Sequence, residues 1–244
     1  MIDFKLKVIK ECESSNTYLL NLAKKGCAEG FSVLTLKQSN GKGTRNNKWI
    51  SNKGNLFLST FVQPKVDKSH WSEISIILGF SLYQYLLSLG IDKSFIRIKW
   101  PNDILIKYKK ISGILVEVSN NFCIIGIGLN VVSTPLKIDT GKETICLREI
   151  TNTKNLDLKD MSNSILKIFY KNYNIWINYS LKPFYEKINK ILAYLNCTIS
   201  FVYDNTKLSG KIVGINYLGN LKVLTSQNKF LYLSSSETII YEGL

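Results

Sequence analysis

Histidine is almost missing from this chain: His70 is the single copy in 244 residues. A catalytic dyad or triad built on imidazole has no base to work with, and a His/Cys zinc site has no ligand set. The five cysteines, Cys12, Cys27, Cys123, Cys146 and Cys197, are scattered and never form a Cys-x-x-Cys pair. That spacing argues against a metal ribbon and a disulfide scaffold, and it suits a reducing cytoplasm. Proline is scarce, at four copies, while 45% of the residues are hydrophobic, so no segment reads as disordered. No long run is apolar enough for a membrane span: Ile74–Leu89 is interrupted by Ser75, Ser81, Gln84 and Ser88 and reads as a buried helix. The first residues alternate polar and apolar, unlike a signal peptide. Arginine is also rare, with only Arg45, Arg97 and Arg148 among 32 basic residues. A net charge of +14 ordinarily suggests nucleic acid. Lysine spread evenly beside abundant Asn and Ile instead suggests a compositionally biased genome. Such a surface still favours an acidic protein partner through steering.

What is present is organised around Gln38-Ser39-Asn40-Gly41-Lys42-Gly43-Thr44-Arg45-Asn46-Asn47-Lys48-Trp49. This stretch lacks helical or strand periodicity and lies between two strands, Phe31–Lys37 and Asn55–Val62. Its glycines and asparagines allow positive φ and close approach to a ligand. Lys42, Arg45 and Lys48 suit a carboxylate or phosphate. A flexible basic connection explains the same composition, so neighbouring stretches must decide.

The chain in order supplies them. Residues 4–11 read as a strand, and Ser14, Ser15 and Asn16 start a helix running to about Lys25. A helix start can cap itself or offer free N–H groups to a polar ligand. A helix from about Trp71 to Leu89 precedes the strand Ile96–Trp100, whose end carries Pro101, Asn102 and Asp103. Asp103–Lys107, a Tyr108-Lys109-Lys110 turn and Ile111–Val118 read as a hairpin. Phe122–Leu129 is a strand with Cys123, Ile125, Ile127 and Leu129 on one face and Ile124, Gly126 and Gly128 on the other. Bare glycines at i and i+2 leave room for a flat ligand or for a packed helix. Val131–Glu143 is a polar loop of lid-like composition. Helices are expected over Leu156–Tyr179 and from a Ser180 cap to about Leu195. Short strands then follow with turns at Asp204-Asn205, Gly219-Asn220 and Gln227-Asn228. The change of pattern predicts a domain boundary near 195 and a small β barrel behind it.

With no histidine base, nucleophilic cysteine motif or metal cluster, such a site acts by positioning and charge neutralisation. Attack of a carboxylate on a nucleoside triphosphate is the reaction that needs this. Five pieces carry a resemblance: Ser14-Ser15-Asn16, Gln38 through Trp49, Lys99-Trp100-Pro101-Asn102-Asp103, Lys110-Ile111-Ser112-Gly113-Ile114-Leu115-Val116-Glu117, and Gly126-Ile127-Gly128-Leu129-Asn130. In order and spacing the sequence resembles the biotin–protein ligases over about residues 2–244. The resemblance implies an α+β fold: a mixed β-sheet flanked by helices, related to class II aminoacyl-tRNA synthetases, over residues 1–194. A small SH3-like β barrel over 195–244 completes it. It implies ATP-dependent attachment of biotin, through biotinyl-5′-AMP, to a lysine of the biotin carboxyl carrier protein of acetyl-CoA carboxylase. ATP with Mg2+ and biotin are the implied small molecules, with no tightly bound metal.

Residue by residue, the resemblance assigns Ser14, Ser15, Asn16, Gln38, Gly41, Lys42, Gly43, Thr44, Lys110, Gly113 and Gly128 to biotin. It assigns Lys42, Arg45, Trp49, Lys99, Asn102, Asp103, Lys110 and Asn130 to the nucleotide, with Asp103 as a magnesium-associated carboxylate. Lys110 is the leading catalytic candidate, with Lys42 and Arg45. The central loop departs from the family's Gly-Arg-Gly-Arg-x-Gly-Arg-x-Trp: Lys42, Thr44, Asn46 and Asn47 replace Arg, Arg, Gly and Arg. Thr44 loses a charge, so Arg45 is expected to substitute in part and the adenylate to be held less tightly. About a dozen residues precede Ser14, so an enzyme without a DNA-binding repressor domain is expected. The partners expected are the acidic carrier domain and the two small molecules, not DNA or membrane, for a monomer or an edge-strand homodimer. Competing readings are a lipoate–protein ligase of the same fold, a basic nucleic-acid-binding protein, and a ligase whose altered loop leaves only a binding scaffold.

Overall fold

The computed structural model describes residues 2–136, 143–151, 156–235 and 239–241. Part of the expected lid-like loop, residues 137–142, lies outside them. The chain runs β1 (Lys5–Ile9), α1 (Ser15–Lys24), β2 (Phe31–Thr35), β3 (Leu56–Val62), α2 (Glu73–Ser88), β4 (Ile96–Lys99), β5 (Asp103–Ile106), β6 (Lys109–Ser119) and β7 (Phe122–Leu129). Helices α3 (Leu158–Tyr179) and α4 (Tyr185–Lys190) follow. The strands β8 (Thr198–Tyr203), β9 (Thr206–Ile215), β10 (Leu221–Thr225), β11 (Phe230–Leu233) and β12 (Ile239–Ile240) end it.

Seven strands form one sheet in the order β1-β2-β3-β7-β6-β5-β4. Of its strand pairs, only β1–β2 is parallel among the described residues. Alternation gives the sheet two apolar faces. On one, Ile125, Ile127 and Leu129 of β7 join Ile74, Ile77, Phe169 and Trp176 of α2 and α3 in the main core. On the other, Ile124, Phe61 and Val33 pack with Leu19 of α1. Helices therefore flank both faces. The α3 stripe follows from helical spacing, with Met161, Ile165, Phe169, Tyr173 and Trp176 all buried. Burying each such side chain stabilises by about 1.5–3 kcal/mol before entropy is counted.

The C-terminal strands form a second, five-stranded antiparallel sheet in the order β11-β10-β9-β8-β12. Where a barrel was expected, the terminal strands β11 and β12 are not paired with each other among the described residues. The sheet shares the main core through Phe201, Leu221 and Val223. Trp100 Nε1 donates to Gly219 O at 2.8 Å, and Tyr241 Oη donates to Trp100 O at 3.2 Å, tying it to the end of β4.

Two local expectations are corrected. The β5–β6 turn is Lys107-Tyr108, not Tyr108 through Lys110, because Lys107 (φ 49°) and Tyr108 (φ 61°) both take the left-handed conformation a two-residue hairpin turn needs. Ser180 closes α3 instead of capping a new helix: its N–H donates to Trp176 O at 2.7 Å. Pro183 lacks an N–H and restricts Lys182, so α4 begins only at Tyr185 and is six residues long.

Candidate active site

Strand register builds the floor of the site. Phe57 (β3), Gly128 (β7), Gly113 (β6), Asp103 (β5) and Lys99 (β4) are successive Cα partners across five strands. Directly opposed residues share a face. One row thus presents a ring, two bare glycines, a carboxylate and an ammonium. The next row holds Ser59, Gly126 and Leu115. Glycine is required here by space. A Cβ on Gly128 would strike the Trp49 indole, and one on Gly126 would strike the Asn16 carboxamide. A Cβ on Gly113 would lie 2.8 Å from Trp49 Cζ3 and 3.2 Å from Lys110 Nζ.

Lys110 reaches this floor through a β-bulge. Ile104 opposes Ser112 and Leu105 opposes Lys110, leaving Ile111 unopposed. Residues three apart on a regular strand face opposite ways; the extra residue returns Lys110 to the side of Gly113. Its ammonium lies 2.7 Å from Asp103 Oδ1 and 5.4 Å from the centre of the Trp49 ring.

The start of α1 closes one end. Ser14 is the N-cap residue, but its side chain makes no capping bond. The Ser15 N–H instead donates to Gln38 Oε1 at 2.7 Å, and Gln38 Nε2 donates to Ser51 Oγ at 3.0 Å. Asn16 Nδ2 donates to Glu117 Oε2 at 2.8 Å, and Asn16 Oδ1 accepts from Ser59 Oγ at 2.6 Å.

The central stretch is a small hairpin. Lys42 and Lys48 bridge antiparallel, Gly43 N–H donates to Asn47 O (2.7 Å) and Trp49 N–H to Gly41 O (2.9 Å). Arg45 (φ 55°) and Asn46 (φ 60°) turn it. Asn46 replaces a family glycine at a left-handed position, one that asparagine tolerates. The hairpin sets Trp49 over the glycine floor, and Trp49 Nε1 is buried without a hydrogen-bond partner among the described residues. Lys42 Nζ stands 3.9 Å from Glu117 Oε1, and an Arg45 guanidinium nitrogen donates to Ser235 O at 3.4 Å.

These elements enclose one cleft of about 1230 Å³. It is lined by every residue expected at the site: Ser14, Ser15, Asn16, Gln38, Gly41, Lys42, Gly43, Thr44, Arg45, Trp49, Lys99, Asn102, Asp103, Lys110, Gly113, Gly128 and Asn130. Two of them also brace it. Asn102 Nδ2 donates to Ile114 O at 2.9 Å, and Asn130 Nδ2 to Ile145 O at 3.2 Å. The cleft also takes Gly126, which the bare i, i+2 glycine pair anticipated, and Phe57, Ser235, Ile239 and Tyr241, which sequence reasoning missed. The placement of Phe57 was available from alternation in β3. That of Tyr241 was not, since only tertiary folding brings it across. Lys99 Nζ sits 4.0 Å from the centre of the Tyr241 ring. Burial, reinforced by the Asp103 carboxylate, pushes the Tyr241 hydroxyl well above its ordinary pKa and keeps it a donor. Among the described residues no helix is long and apolar enough to cross a membrane.

Known proteins share this fold. The structure is similar to the biotin protein ligase from Aquifex aeolicus in complex with biotin and ATP, with a TM-score of 0.84 and 29% identity over 96% of this chain and 97% of that one. The sequence is 26% identical over 221 residues to the bifunctional ligase/repressor BirA of Escherichia coli, covering 88% of this chain and 67% of that protein. It is 30% identical over 138 residues to the biotin–[acetyl-CoA-carboxylase] ligase of Mycobacterium tuberculosis, covering 55% and 52%. The model of one family matches residues 8–130, half of the chain, and spans all five of the motif pieces above. The chain belongs to the biotin/lipoate A/B protein ligase family.

Proposed function

We propose that this protein is a biotin–protein ligase that activates biotin with ATP and transfers it to a lysine of the carboxyl carrier protein of acetyl-CoA carboxylase. The observation that carries this reading is the meeting of Lys110, Lys42 and the Gly113–Gly128 floor in one cleft, beside the polar start of α1. In the first step a biotin carboxylate oxygen attacks the α-phosphorus of ATP, the bond to pyrophosphate breaks, and biotinyl-5′-AMP forms. Two anions must approach each other, and at 4 Å like charges repel by about 4 kcal/mol at an effective dielectric of 20. Lys110 neutralises both, and the glycine floor, on which the Trp49 indole lies, keeps the cleft free of strand side chains. Lys42 and Arg45 reinforce that charge from the hairpin, with Arg45 partly replacing what Thr44 lacks. In the second step the acceptor lysine's amine attacks the acyl carbon, AMP leaves, and the amine gives up a proton.

The end of the cleft at α1 favours biotin over lipoate. Ser14, Ser15 and Asn16 are buried polar groups lining that end. A ureido ring, with two N–H donors and one carbonyl, can use the hydrogen-bonding capacity that their contacts with Gln38, Glu117 and Ser59 leave over, which a dithiolane cannot. Magnesium accompanying the nucleotide is read as part of that substrate. The donor set does not fit a resident ion: Asp103 is paired with Lys110, and no three metal-ligating side chains converge among the described residues. The basic chain, at +14, suits an acidic carrier domain.

The test is incubation with biotin, ATP, magnesium and a carrier domain, followed by intact-mass measurement. The carrier should gain one biotinyl group, and the Lys110→Ala protein should leave it unmodified. Pyrophosphate exchange driven by lipoate but not biotin would overturn the assignment.

A further inference from the structure

Ser51 lies outside all five motif pieces, and the chemistry above gives it no task, yet it lines the cleft. We propose that Ser51 is a positioning residue: it locks the Gln38 carboxamide in one orientation and so sets which hydrogen-bonding groups that side chain offers a ligand. The proposal rests on the biotin reading of this cleft, in which Gln38 contacts biotin.

Two partners of fixed polarity set the direction of every bond. A backbone N–H can only donate, so the Gln38 atom 2.7 Å from Ser15 N is the carboxamide oxygen. A carbonyl can only accept, so the Ser51 hydroxyl donates its single proton to Trp49 O, at 3.3 Å. Ser51 Oγ therefore meets Gln38 with a lone pair, and the Gln38 group 3.0 Å away is the NH2. Turning the carboxamide over would set its NH2 against the Ser15 N–H and its oxygen against the Ser51 lone pair. Both contacts would be lost together, so the orientation is held at two points. Gly41 leaves the space for this cluster. A Cβ there would lie 2.6 Å from both Ser51 Oγ and Trp49 O, and 2.9 Å from Gln38 Nε2.

Among the described residues, these two bonds leave the carboxamide one oxygen lone pair and one N–H. A ureido group carries both N–H donors and a carbonyl acceptor, so it can engage the two. Ser51→Ala takes away one of the two holding points. The carboxamide then turns more freely, and a ligand must order it on binding. Ser51 thus acts through Gln38, and its own hydroxyl stays committed to Trp49 and Gln38.

The test is a double-mutant cycle on the full chain, with biotin binding followed by calorimetry. Ser51→Ala should weaken biotin about tenfold. At saturating biotin its KM for ATP should move less than about twofold. In a Gln38→Met background, which keeps the shape of the side chain without its hydrogen bonds, the same Ser51→Ala change should cost less than about twofold. A serine that merely braced the hairpin, or touched the ligand itself, would cost about tenfold in both backgrounds, and that result overturns the proposal. So does Ser51→Ala protein that binds biotin as tightly as wild type, or whose KM for ATP rises in step with its biotin Kd. Each of these leaves the ligase reading intact. Wild-type protein that binds no biotin overturns both.

Discussion

Lys110 has a proposed role and an observed one to separate: neutralising the reacting anions, and pairing with Asp103. Lys110→Ala removes an ammonium 2.7 Å from Asp103 Oδ1. Breaking a fully buried pair costs about 3–5 kcal/mol. Here the side chains are 21% and 10% exposed, so solvent reduces the cost to roughly 2 kcal/mol. For a chain of 244 residues that lowers the melting temperature by about 4–8 °C. Adding Asp103→Asn removes the stranded charge, and most of the loss should return. Activity should behave differently. Removing one preorganised positive group from a centre of developing negative charge lowers the rate by about 10²–10³-fold, or roughly 3–4 kcal/mol of barrier. The asparagine cannot replace it. Biotin-dependent pyrophosphate exchange, measured beside thermal melts of both variants, therefore splits the two roles. A double variant that regained stability and exchange together would show that Lys110 serves only as a structural partner.

Gly128→Ala drives a methyl group into the Trp49 indole, which must shift off the floor. The KM for biotin should rise about tenfold or more as the displaced indole narrows the cleft; unchanged steady-state kinetics would contradict the floor. Arg45→Ala should speed loss of biotinyl-5′-AMP and Thr44→Arg should slow it, read by trapping released adenylate. If neither variant alters that rate, the hairpin charges do not hold the intermediate. Glu73 supplies a pH test. Its carboxyl is fully buried, and that burial raises its pKa from the usual 4.5 despite hydrogen bonds from Trp176 Nε1 (2.7 Å) and with His70 Nδ1 (2.6 Å). A raised folded-state pKa gives stability that is present below the unfolded value and is lost as pH rises through the folded one. The stability of Glu73→Gln relative to wild type should therefore rise above pH 4.5, seen as a growing difference in urea midpoints. A difference that stays flat or shrinks would mean that the buried carboxyl binds its proton no more tightly than in the unfolded chain.

Periodicity made the framework legible. Alternation over Phe122–Leu129 located both faces of the sheet, and helical spacing from Met161 to Trp176 located α3. What periodicity could not give is what depends on pairing. The late start of α4 is a local conflict, readable once Pro183 is weighed; the turn at Lys107-Tyr108 depends on two non-glycine residues taking positive φ, which the sequence does not signal. The wall supplied by Ser235, Ile239 and Tyr241 arises only when β12 pairs with β8, a long-range contact with no local signal. Glu117 belonged to a motif, but its contact with Asn16, and that of Asn16 with Ser59, come only with folding.

Lys110 shows the limit most sharply. Counted as a regular strand, it lies three residues before Gly113 and so points away from the glycine floor. Charge and motif spacing placed it at the site, while strand geometry placed it on the opposite face. The two agree only because Ile111 is left unopposed and turns its side chain into the main core. The buried isoleucine thus does what the sequence around the lysine does not reveal: its apolar burial, stabilising by about 1.5–3 kcal/mol, holds the bulge that aims the cation. The orientation of the charge that the reaction needs is set by the packing of an uncharged neighbour on the other side of the sheet.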